Sequence, residues 1–242
     1  SLLFEAAGAL VLAVRFWATY DETVSRALWL GVFHSVSAFN NAGFALFSDN
    51  LISFASDPWI SLPVTVLVIA GGLGFPVLFE LRREWRAPHG WSLHTKIVTS
   101  MTVVLLSAGT LMFLALEWTN ERTLGPLSVG GKVTAAFLQS TVARTAGFNS
   151  VSTGELNPET LLGTDVLMFI GGGSAGTAGG IKVTTFAVLL FVILTEVRGH
   201  RDVTAFNRQI PREAQRQALS VALLSVAAVV GSPALLLLLP PV

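Results

Sequence analysis

The sequence of 242 residues contains no cysteine and few charged residues. The lack of cysteine excludes disulfide bonds, thiolate metal sites and cysteine nucleophiles. Charged residues make up 12% of the chain, whereas a soluble domain carries about 25%. Zero net charge gives no support for a nucleic-acid partner. Because 52% of the residues are hydrophobic, a soluble fold would lack polar surface, and we expect an all-α protein embedded in a lipid bilayer.

Two short stretches, at residues 37–44 and 142–149, share the core Ala-Gly-Phe. Each follows a short apolar segment with helical spacing, over residues 26–39 and 131–142. These segments are too short to cross a bilayer, and their length is typical of re-entrant or buried helices. Both would point their C-terminal ends at the glycine loop, and the negative end of a helix dipole favours a cation.

We interpret the two loops as a filter that binds a cation through backbone carbonyls. One glycine at a helix end would be an ordinary cap, but two matching loops favour a pore. Irregular backbone at membrane depth is tolerated only where it lines a cavity or is buried in protein. Neutral carbonyls suit potassium. The predicted ligands are the carbonyls of Asn41, Ala42, Gly43, Phe44, Thr145, Ala146, Gly147 and Phe148.

A glycine-rich stretch interrupts the apolar run over residues 164–195, with six glycines among ten residues. Each glycine costs about 1 kcal/mol relative to alanine in a helix, so we predict an unwound stretch that marks an ion or substrate path. Lys182 follows directly and indicates an electrostatic barrier, a tether or a structural lysine that snorkels. The residues predicted to line this path are Gly171, Gly172, Gly173, Ser174, Ala175, Gly176, Thr177, Ala178, Gly179, Gly180 and Lys182.

Other sequence patterns do not indicate a binding or catalytic site. The glycine-rich stretch over residues 171–180 lacks the Gly-x-x-x-x-Gly-Lys-Ser/Thr spacing of a phosphate loop. The run Gly71-Gly72-Leu73-Gly74 predicts close helix packing. His34 is expected to be hydrogen-bonded rather than a metal ligand, because the four histidines lack ligand spacing. No nucleophile triad or carboxylate pair stands out, so we do not expect an enzyme.

Five apolar runs are candidate membrane spans, at residues 2–18, 59–81, 93–118, 164–195 and 214–239. The connections over residues 82–96 and 198–216 hold nine of the 15 basic residues. The positive-inside rule places these connections in the cytoplasm and both Ala-Gly-Phe loops outside. We therefore expect a multi-pass protein of the inner (plasma) membrane. Since the sequence does not start with Met and ends after an apolar run, we also expect a fragment.

These motifs resemble the Ktr/Trk/HKT superfamily of potassium transporters. The matching stretches lie at residues 33–44, 69–75, 143–149 and 168–182, in order along most of the chain. The segment Gly-Gly-Ile-Lys-Val-Thr-Thr-Phe, which begins at Gly179, is most similar to the bacterial Ktr-type membrane subunit.

The resemblance implies pore-loop repeats, each a helix, a short pore helix, a filter loop and a helix, around a pseudo-fourfold axis. Residues 1–86 would form the second repeat, residues 92–200 the third with its broken second helix, and residues 214–239 the first helix of the fourth. Gly43 and Gly147 match the filter glycines of the family, and residues 171–180 match its intramembrane gating loop below the filter, so the resemblance implies that this stretch, with Lys182, is the gate. The resemblance further implies K⁺ uptake, Na⁺ as a second candidate ion, a homodimer, and a cytosolic nucleotide-binding regulatory subunit at the arginine-rich loops.

Two other interpretations stay open at this point. Broken helices also occur in secondary transporters of small solutes. A non-conducting membrane scaffold could use the same glycines for helix packing.

Overall fold

The structure is a computed structural model that describes residues 1–144, 146–199 and 202–238. The predicted filter residue Thr145, the basic loop residues His200 and Arg201, and the predicted span end at Leu239 lie outside the described residues. Within the described residues the fold is helical apart from short 3₁₀ turns and one small hairpin. The elements are α1 Leu2–Thr19, α2 Val24–Phe39, α3 Pro58–Leu73, α4 Phe75–Glu84, α5 Leu93–Glu117, α6 Val129–Val142, α7 Pro158–Phe169, α8 Val183–Val197, β1 Thr204–Ala205, β2 Arg208–Gln209 and α9 Arg212–Leu238.

The first bundle consists of α1, α2 and α3. Thr23 caps α2 by accepting a hydrogen bond from the Arg26 backbone N–H, and Asp57 caps α3 by accepting one from Trp59. Asp57 also accepts hydrogen bonds from Arg15 at 2.8 Å and from the Tyr20 hydroxyl at 2.9 Å. Burial, together with the hydrogen bond to Asp57, raises the pKa of Tyr20 to about 12. The interior of this bundle is built from large side chains that are almost fully buried, among them Leu12, Phe16, Leu30, Phe39 and Val64.

The second bundle consists of α5, α6, α7 and α8. Ser92 caps α5 by accepting from the Thr95 backbone N–H, and Ser128 caps α6 by accepting from Gly131. Glu117, at the end of α5, is fully buried and accepts hydrogen bonds from the side chains of Thr123 and Thr160. The core of this bundle includes Ile97, Val98, Phe113, Ala135 and Val183.

The apolar run over residues 59–81 does not form one straight span. Helices α3 and α4 meet at Gly74 with a bend of 103°. Gly74 has φ +88°, a left-handed conformation that favours glycine, and Pro76 lies in the first turn of α4. The candidate span from Trp59 to Leu81 is therefore sharply bent, and α3 and α4 together still form one candidate span. The predicted break in the run over residues 164–195 is confirmed, because α7 ends at Phe169 and α8 begins at Val183.

Among the described residues, three helices are long and apolar enough to cross a membrane, namely α1, α5 and the Arg212–Leu235 part of α9, and the bent pair α3–α4 gives a fourth candidate. Large apolar side chains on these helices, such as Leu10, Val103 and Leu224, are exposed at the surface of the chain. Contiguous exposed apolar surface needs a nonpolar surrounding. The expected all-α, multi-pass membrane fold agrees with these features.

Candidate functional site

The first Ala-Gly-Phe loop begins where α2 ends. The backbone N–H of Asn41 donates to the carbonyl of Ala38 at 3.1 Å, and that of Ala42 donates to Ser37 at 2.9 Å. Asn41 has φ +51° and Gly43 has φ +73°. These left-handed conformations turn the chain sharply away from the helix axis, which is the reason a glycine is needed at position 43.

Side chains of α2 hold the segment that leaves this loop. The Ser37 hydroxyl donates to the Phe44 carbonyl at 2.8 Å. His34 donates through Nδ1 to the Leu30 carbonyl at 2.8 Å and accepts at Nε2 from the Leu46 backbone N–H at 3.3 Å. A carbonyl can only accept and an amide N–H can only donate, so the imidazole is neutral with both nitrogens engaged. This arrangement agrees with the prediction that His34 is a hydrogen-bonded side chain rather than a metal ligand.

The second loop repeats this construction at the end of α6. The backbone N–H groups of Ala146 and Gly147 both donate to the Val142 carbonyl, at 3.0 and 3.3 Å, and Gly147 has φ +82°. Ser150 then donates through its backbone N–H and its hydroxyl to Oε1 of Gln139, each at 2.9 Å. Ser150 follows its glycine by three residues, as Leu46 follows Gly43. In each loop, a polar side chain of the preceding short helix therefore accepts a hydrogen bond from the backbone N–H three residues after the glycine.

The two loops lie against each other at their glycines. A β-carbon added to Gly43 would overlap the carbonyl oxygen of Ala146 and lie 2.6 Å from the Cα of Gly147. A β-carbon added to Gly147 would lie 3.3 Å from the Cα of Gly43. The backbones of two loops about 100 positions apart in the sequence thus touch where the filter was predicted. Their role as ion ligands stays a prediction.

The segments beyond the two loops are also joined. The Asn149 backbone N–H donates to the side-chain oxygen of Asn50 at 3.1 Å, and the Leu51 N–H donates to the Asn149 carbonyl at 3.2 Å. The two loops differ in burial, since Phe44 is 69% exposed and Phe148 only 2%. Phe148 packs into the core of the first bundle, so the second loop is anchored inside its neighbour. Thr145 lies outside the described residues.

The predicted gate, residues 171–180, is irregular, as expected. Its two ends are closed by a parallel bridge in which the Gly171 N–H donates to Ile181 at 2.9 Å and the Ile181 N–H donates to Phe169 at 3.1 Å. Ala175 and Gly180 within it have positive φ values, which a helix does not allow. We call residues 171–180 the gate segment from here on.

The gate segment lies in the bend between α3 and α4. The Gly173 N–H donates to the Gly72 carbonyl at 2.8 Å, and the Thr177 N–H donates to the Gly71 carbonyl at 3.1 Å. A β-carbon on Gly74 would lie 2.7 Å from the Ser174 carbonyl oxygen. The run from Gly71 to Gly74 does serve close packing, as predicted, and its partners are the Phe39 carbonyl at the end of α2 and the gate segment.

Side chains connect the gate segment with the first loop. The Asn41 amide donates to the Thr177 hydroxyl at 2.6 Å, and that hydroxyl donates to the Phe39 carbonyl at 3.0 Å. Lys182 donates through Nζ to the Ala178 carbonyl at 2.7 Å. The lysine therefore binds the gate segment itself, which fits the tether interpretation.

A small cavity of about 20 Å³ lies between the loops and the gate segment, lined in part by Asn41, Gly72, Thr141, Arg144 and Gly172. A volume of this size holds about one water molecule, whereas sites for organic ligands measure roughly 300–1,000 Å³. Among the described residues, no group of three histidine, aspartate or glutamate side chains is placed to hold a metal ion. Backbone carbonyls are therefore the main candidate ligands in this region.

Sequence patterns gave no role to three residues that organise this site, namely Asn50, Gln139 and Arg144. Arg144 is 7% exposed and donates to the Gly171 carbonyl of the gate segment at 2.9 Å. Its position inside the second Ala-Gly-Phe motif was the available signal, because a charge there is unexpected in an apolar context. No comparable sequence pattern predicts the contacts of Asn50 and Gln139.

Comparison with known proteins places this architecture among cation transporters. Residues 1–232 match the family profile "TrkH: Cation transport protein". The chain is 41% identical over 226 residues to "Ktr system potassium uptake protein B" of Bacillus subtilis and 42% identical over 244 residues to the protein of that name from Vibrio alginolyticus. It is 34% identical over 221 residues to "Potassium/sodium uptake protein NtpJ" of Enterococcus hirae.

The alignments cover 93%, 98% and 91% of this chain, but only 50%, 52% and 48% of the respective relatives. The chain thus spans about half the length of these relatives. The crystal structure of the potassium transporter TrkH from Vibrio parahaemolyticus superposes with a TM-score of 0.67 over 93% of this chain and 48% of that chain. At 19% identity this likeness shows the fold.

Proposed function

The chain belongs to the TrkH cation transport protein family, whose members are ion transporters rather than enzymes, and on that premise we propose that it forms part of a potassium-uptake protein. The proposed path runs past the two Ala-Gly-Phe loops, whose carbonyls replace water around the ion. Three named relatives, the two Ktr B proteins and NtpJ, carry potassium uptake in their names. The location we propose is the inner (plasma) membrane.

One observation carries the proposal, namely the backbone contact between Gly43 and Gly147. Each glycine follows a short helix, each has a positive φ, and the two loops touch. Packing glycines within helices, such as Gly31 and Gly109, show no positive φ, but Gly74 packs closely with φ +88°. The feature that packing alone does not require is the repetition of one loop at two places whose backbones then meet.

The rival transporter of a small organic solute would need a site for that solute. The cavity between the loops and the gate segment has room for about one water molecule. An amino acid or a sugar is several times larger than this space. A monovalent ion that has shed its water fits the dimensions of the region better.

We further propose that residues 171–180 gate the path. The gate segment lies directly against the first loop, and the Thr177 hydroxyl donates a hydrogen bond to the Phe39 carbonyl at the C-terminal end of α2. In this position it covers the helix end whose negative dipole would favour a cation. Lys182 holds the segment through Ala178 and adds a positive charge near the path.

The partners implied by the family are proposals as well: a homodimer in the lipid bilayer and a cytosolic nucleotide-binding regulatory subunit. Support for a cytosolic contact comes from the exposed arginines near the end of α4, among them Arg83 with 77% of its side chain exposed. Na⁺ as a coupled or alternative ion is supported by the name of the Enterococcus hirae relative. Nothing about the chain favours a nucleic-acid partner, since its net charge is zero.

The test uses the complete protein that contains this chain, reconstituted in liposomes. Uptake of radioactive rubidium is expected, with competition by K⁺ and weaker competition by Na⁺. Excess amino acids or sugars should leave the uptake unchanged. Uptake that is absent, or that a solute abolishes while K⁺ does not, would refute the proposed function. Protein-free liposomes measure the leak.

A further inference from the structure

Arg144 is a buried cation in the loop that carries the second filter glycine. Its side chain is among the buried polar groups, with 7% of the residue exposed. Within the described part of the chain no carboxylate forms an ion pair with it, because the four pairs found there involve Arg15, Arg26, Arg83 and Arg122. Burying a charge without an opposite charge is costly, so stability does not explain an arginine at this position.

The equivalent residue of the first loop shows that an arginine is not needed to end the short helix. Asn40 and Arg144 each precede their filter glycine by three residues. Asn40 is exposed, and its amide donates back to the Val36 carbonyl of its own helix at 2.9 Å. A neutral, local hydrogen bond therefore closes α2, and the long charged side chain of Arg144 serves another contact.

That contact reaches the gate segment. Nη2 of Arg144 donates to the Gly171 carbonyl at 2.9 Å, between residues 27 positions apart. Nε has no hydrogen-bond partner among the described residues, and Arg144 lines the cavity of about 20 Å³ between the loops and the gate segment. The cavity has room for one water molecule that could accept from Nε. Hydrogen bonds from a charged donor are stronger than neutral ones, so the gate segment is held firmly at its first residue.

Gly171 is also the residue through which the gate segment is closed at its base. Its N–H donates to the Ile181 carbonyl at 2.9 Å, and a β-carbon on it would overlap the Gly179 carbonyl oxygen. Movement of Gly171 must therefore move both ends of the gate segment. Through Arg144 the same movement acts on the backbone just before Gly147.

We propose that Arg144 is a positioning residue that couples the second filter loop to the gate segment, so that the spacing of the filter and the position of the gate change together. The proposal rests on the proposed function as a potassium path. It assigns Arg144 no contact with the ion. A rigid guanidinium suits this role, because its fixed geometry transmits position better than a flexible amine.

The test compares Arg144→Gln with the unsubstituted complete protein in two measurements. Hydrogen exchange, followed by mass spectrometry, reports the opening of residues 171–180, and flux in liposomes reports the ratio of K⁺ to Na⁺ permeation. Loss of a charged hydrogen bond is expected to speed exchange in the gate segment by about tenfold or more. The K⁺/Na⁺ ratio is expected to fall severalfold in the same variant. Arg122→Gln, which removes an exposed arginine paired with Glu155, serves as the matched control and should change neither value.

Each outcome supports or refutes the proposed role of Arg144. Unchanged hydrogen exchange in Arg144→Gln would show that Arg144 does not hold the gate segment. Faster exchange with an unchanged K⁺/Na⁺ ratio would show that the gate segment is not coupled to the filter. If Arg144→Gln does not fold, Arg144→Lys replaces it, since the single ammonium keeps the charge but loses the planar fork; we expect smaller changes in the same directions. Failure of the unsubstituted protein to select K⁺ would refute the proposed function, while the exchange comparison would still decide on the tether.

Discussion

The side-chain amide of Asn41 donates a hydrogen bond of 2.6 Å to the hydroxyl of Thr177, a residue 136 positions away. The Thr177 hydroxyl in turn donates a hydrogen bond to the carbonyl of Phe39. One hydroxyl thus joins the turn before Gly43, the end of α2 and the middle of the gate segment. Because the Asn41 amide and the Phe39 carbonyl both bond to it, this hydroxyl should influence how readily the gate segment moves.

We expect Thr177→Val to increase K⁺ flux. Valine has nearly the shape of threonine but can neither accept from Asn41 nor donate to Phe39, so the closed position loses stability. Loss of one neutral hydrogen bond corresponds to a change of about two- to tenfold. Rubidium uptake in liposomes measures the effect. Thr134→Val is the matched control, because in the described part of the chain the Thr134 hydroxyl donates to the Gly130 carbonyl of its own helix and to no other group. Equal fluxes in both variants would contradict the role of Thr177.

Serine at either filter glycine should weaken the preference for potassium. Gly43 and Gly147 have φ values of +73° and +82°, where a side chain costs about 1–3 kcal/mol of strain. A β-carbon at Gly43 would in addition meet the backbone of the other loop. We expect the K⁺/Na⁺ permeation ratio to fall by about tenfold in Gly43→Ser and in Gly147→Ser.

The control for these variants is Gly154→Ser, since nothing lies within 4 Å of a β-carbon at Gly154. Its permeation ratio should equal that of the unsubstituted protein. A ratio that stays constant in all three variants would count against the two loops as the filter.

Shortening the gate segment should open the path. Deletion of Ser174, Ala175 and Gly176 removes the part that packs against Gly74 and shortens the reach of Thr177 toward Asn41. We expect a higher flux, together with the same elution volume in size-exclusion chromatography as a sign of intact folding. A folded deletion variant with unaltered flux would remove the gate role.

Glu117 should be important for stability but not for transport. Its carboxylate is fully buried and accepts hydrogen bonds from Asn120, Thr123, the Asn157 backbone N–H and Thr160. Each carboxylate oxygen accepts two of these hydrogen bonds. In Glu117→Gln the amide nitrogen that replaces one oxygen cannot accept, so two donors lose their partner. We expect the free energy of unfolding to drop by about 2–4 kcal/mol, measured as a lower thermal midpoint in detergent. Glu121→Gln, at an exposed position, should leave the midpoint unchanged.

Local signals were enough to predict the short helices and the interrupted run. Helices α2 and α6 end within the predicted motifs because the apolar periodicity stops there and a glycine follows. The unwinding of residues 171–180 follows from the density of glycine, which destabilises a helix whatever surrounds it. Features of this kind depend on neighbours in the sequence, so a single sequence is sufficient to find them.

The partner of the bend at Gly74 and the contacts of Arg144 could not be predicted in this way. Gly74 and Pro76 are a local signal for a break, but the run from Gly71 to Gly74 is equally typical of a helix-packing face, and its contact with the gate segment is visible only in the structure. Likewise, Phe44 and Phe148 occupy the same place in their motifs, yet one is exposed and the other buried. Their difference arises from the tertiary surroundings, since Phe148 enters the core of the first bundle.

The bend of 103° at Gly74 has a mechanical consequence. Helix α4 has ten residues and thus a length of about 15 Å, and its pivot is the glycine that touches the carbonyl of Ser174. A swing of about 10° around this pivot would displace the far end by roughly 2.6 Å at that length. Val77 of α4 lies in the core of the second bundle, and Glu80 accepts hydrogen bonds from the hydroxyls of Ser92 and Thr95 at the start of α5. A force on Arg82 or Arg83 would therefore act on residues 171–180 at Gly74 and on the core of the second bundle at the same time.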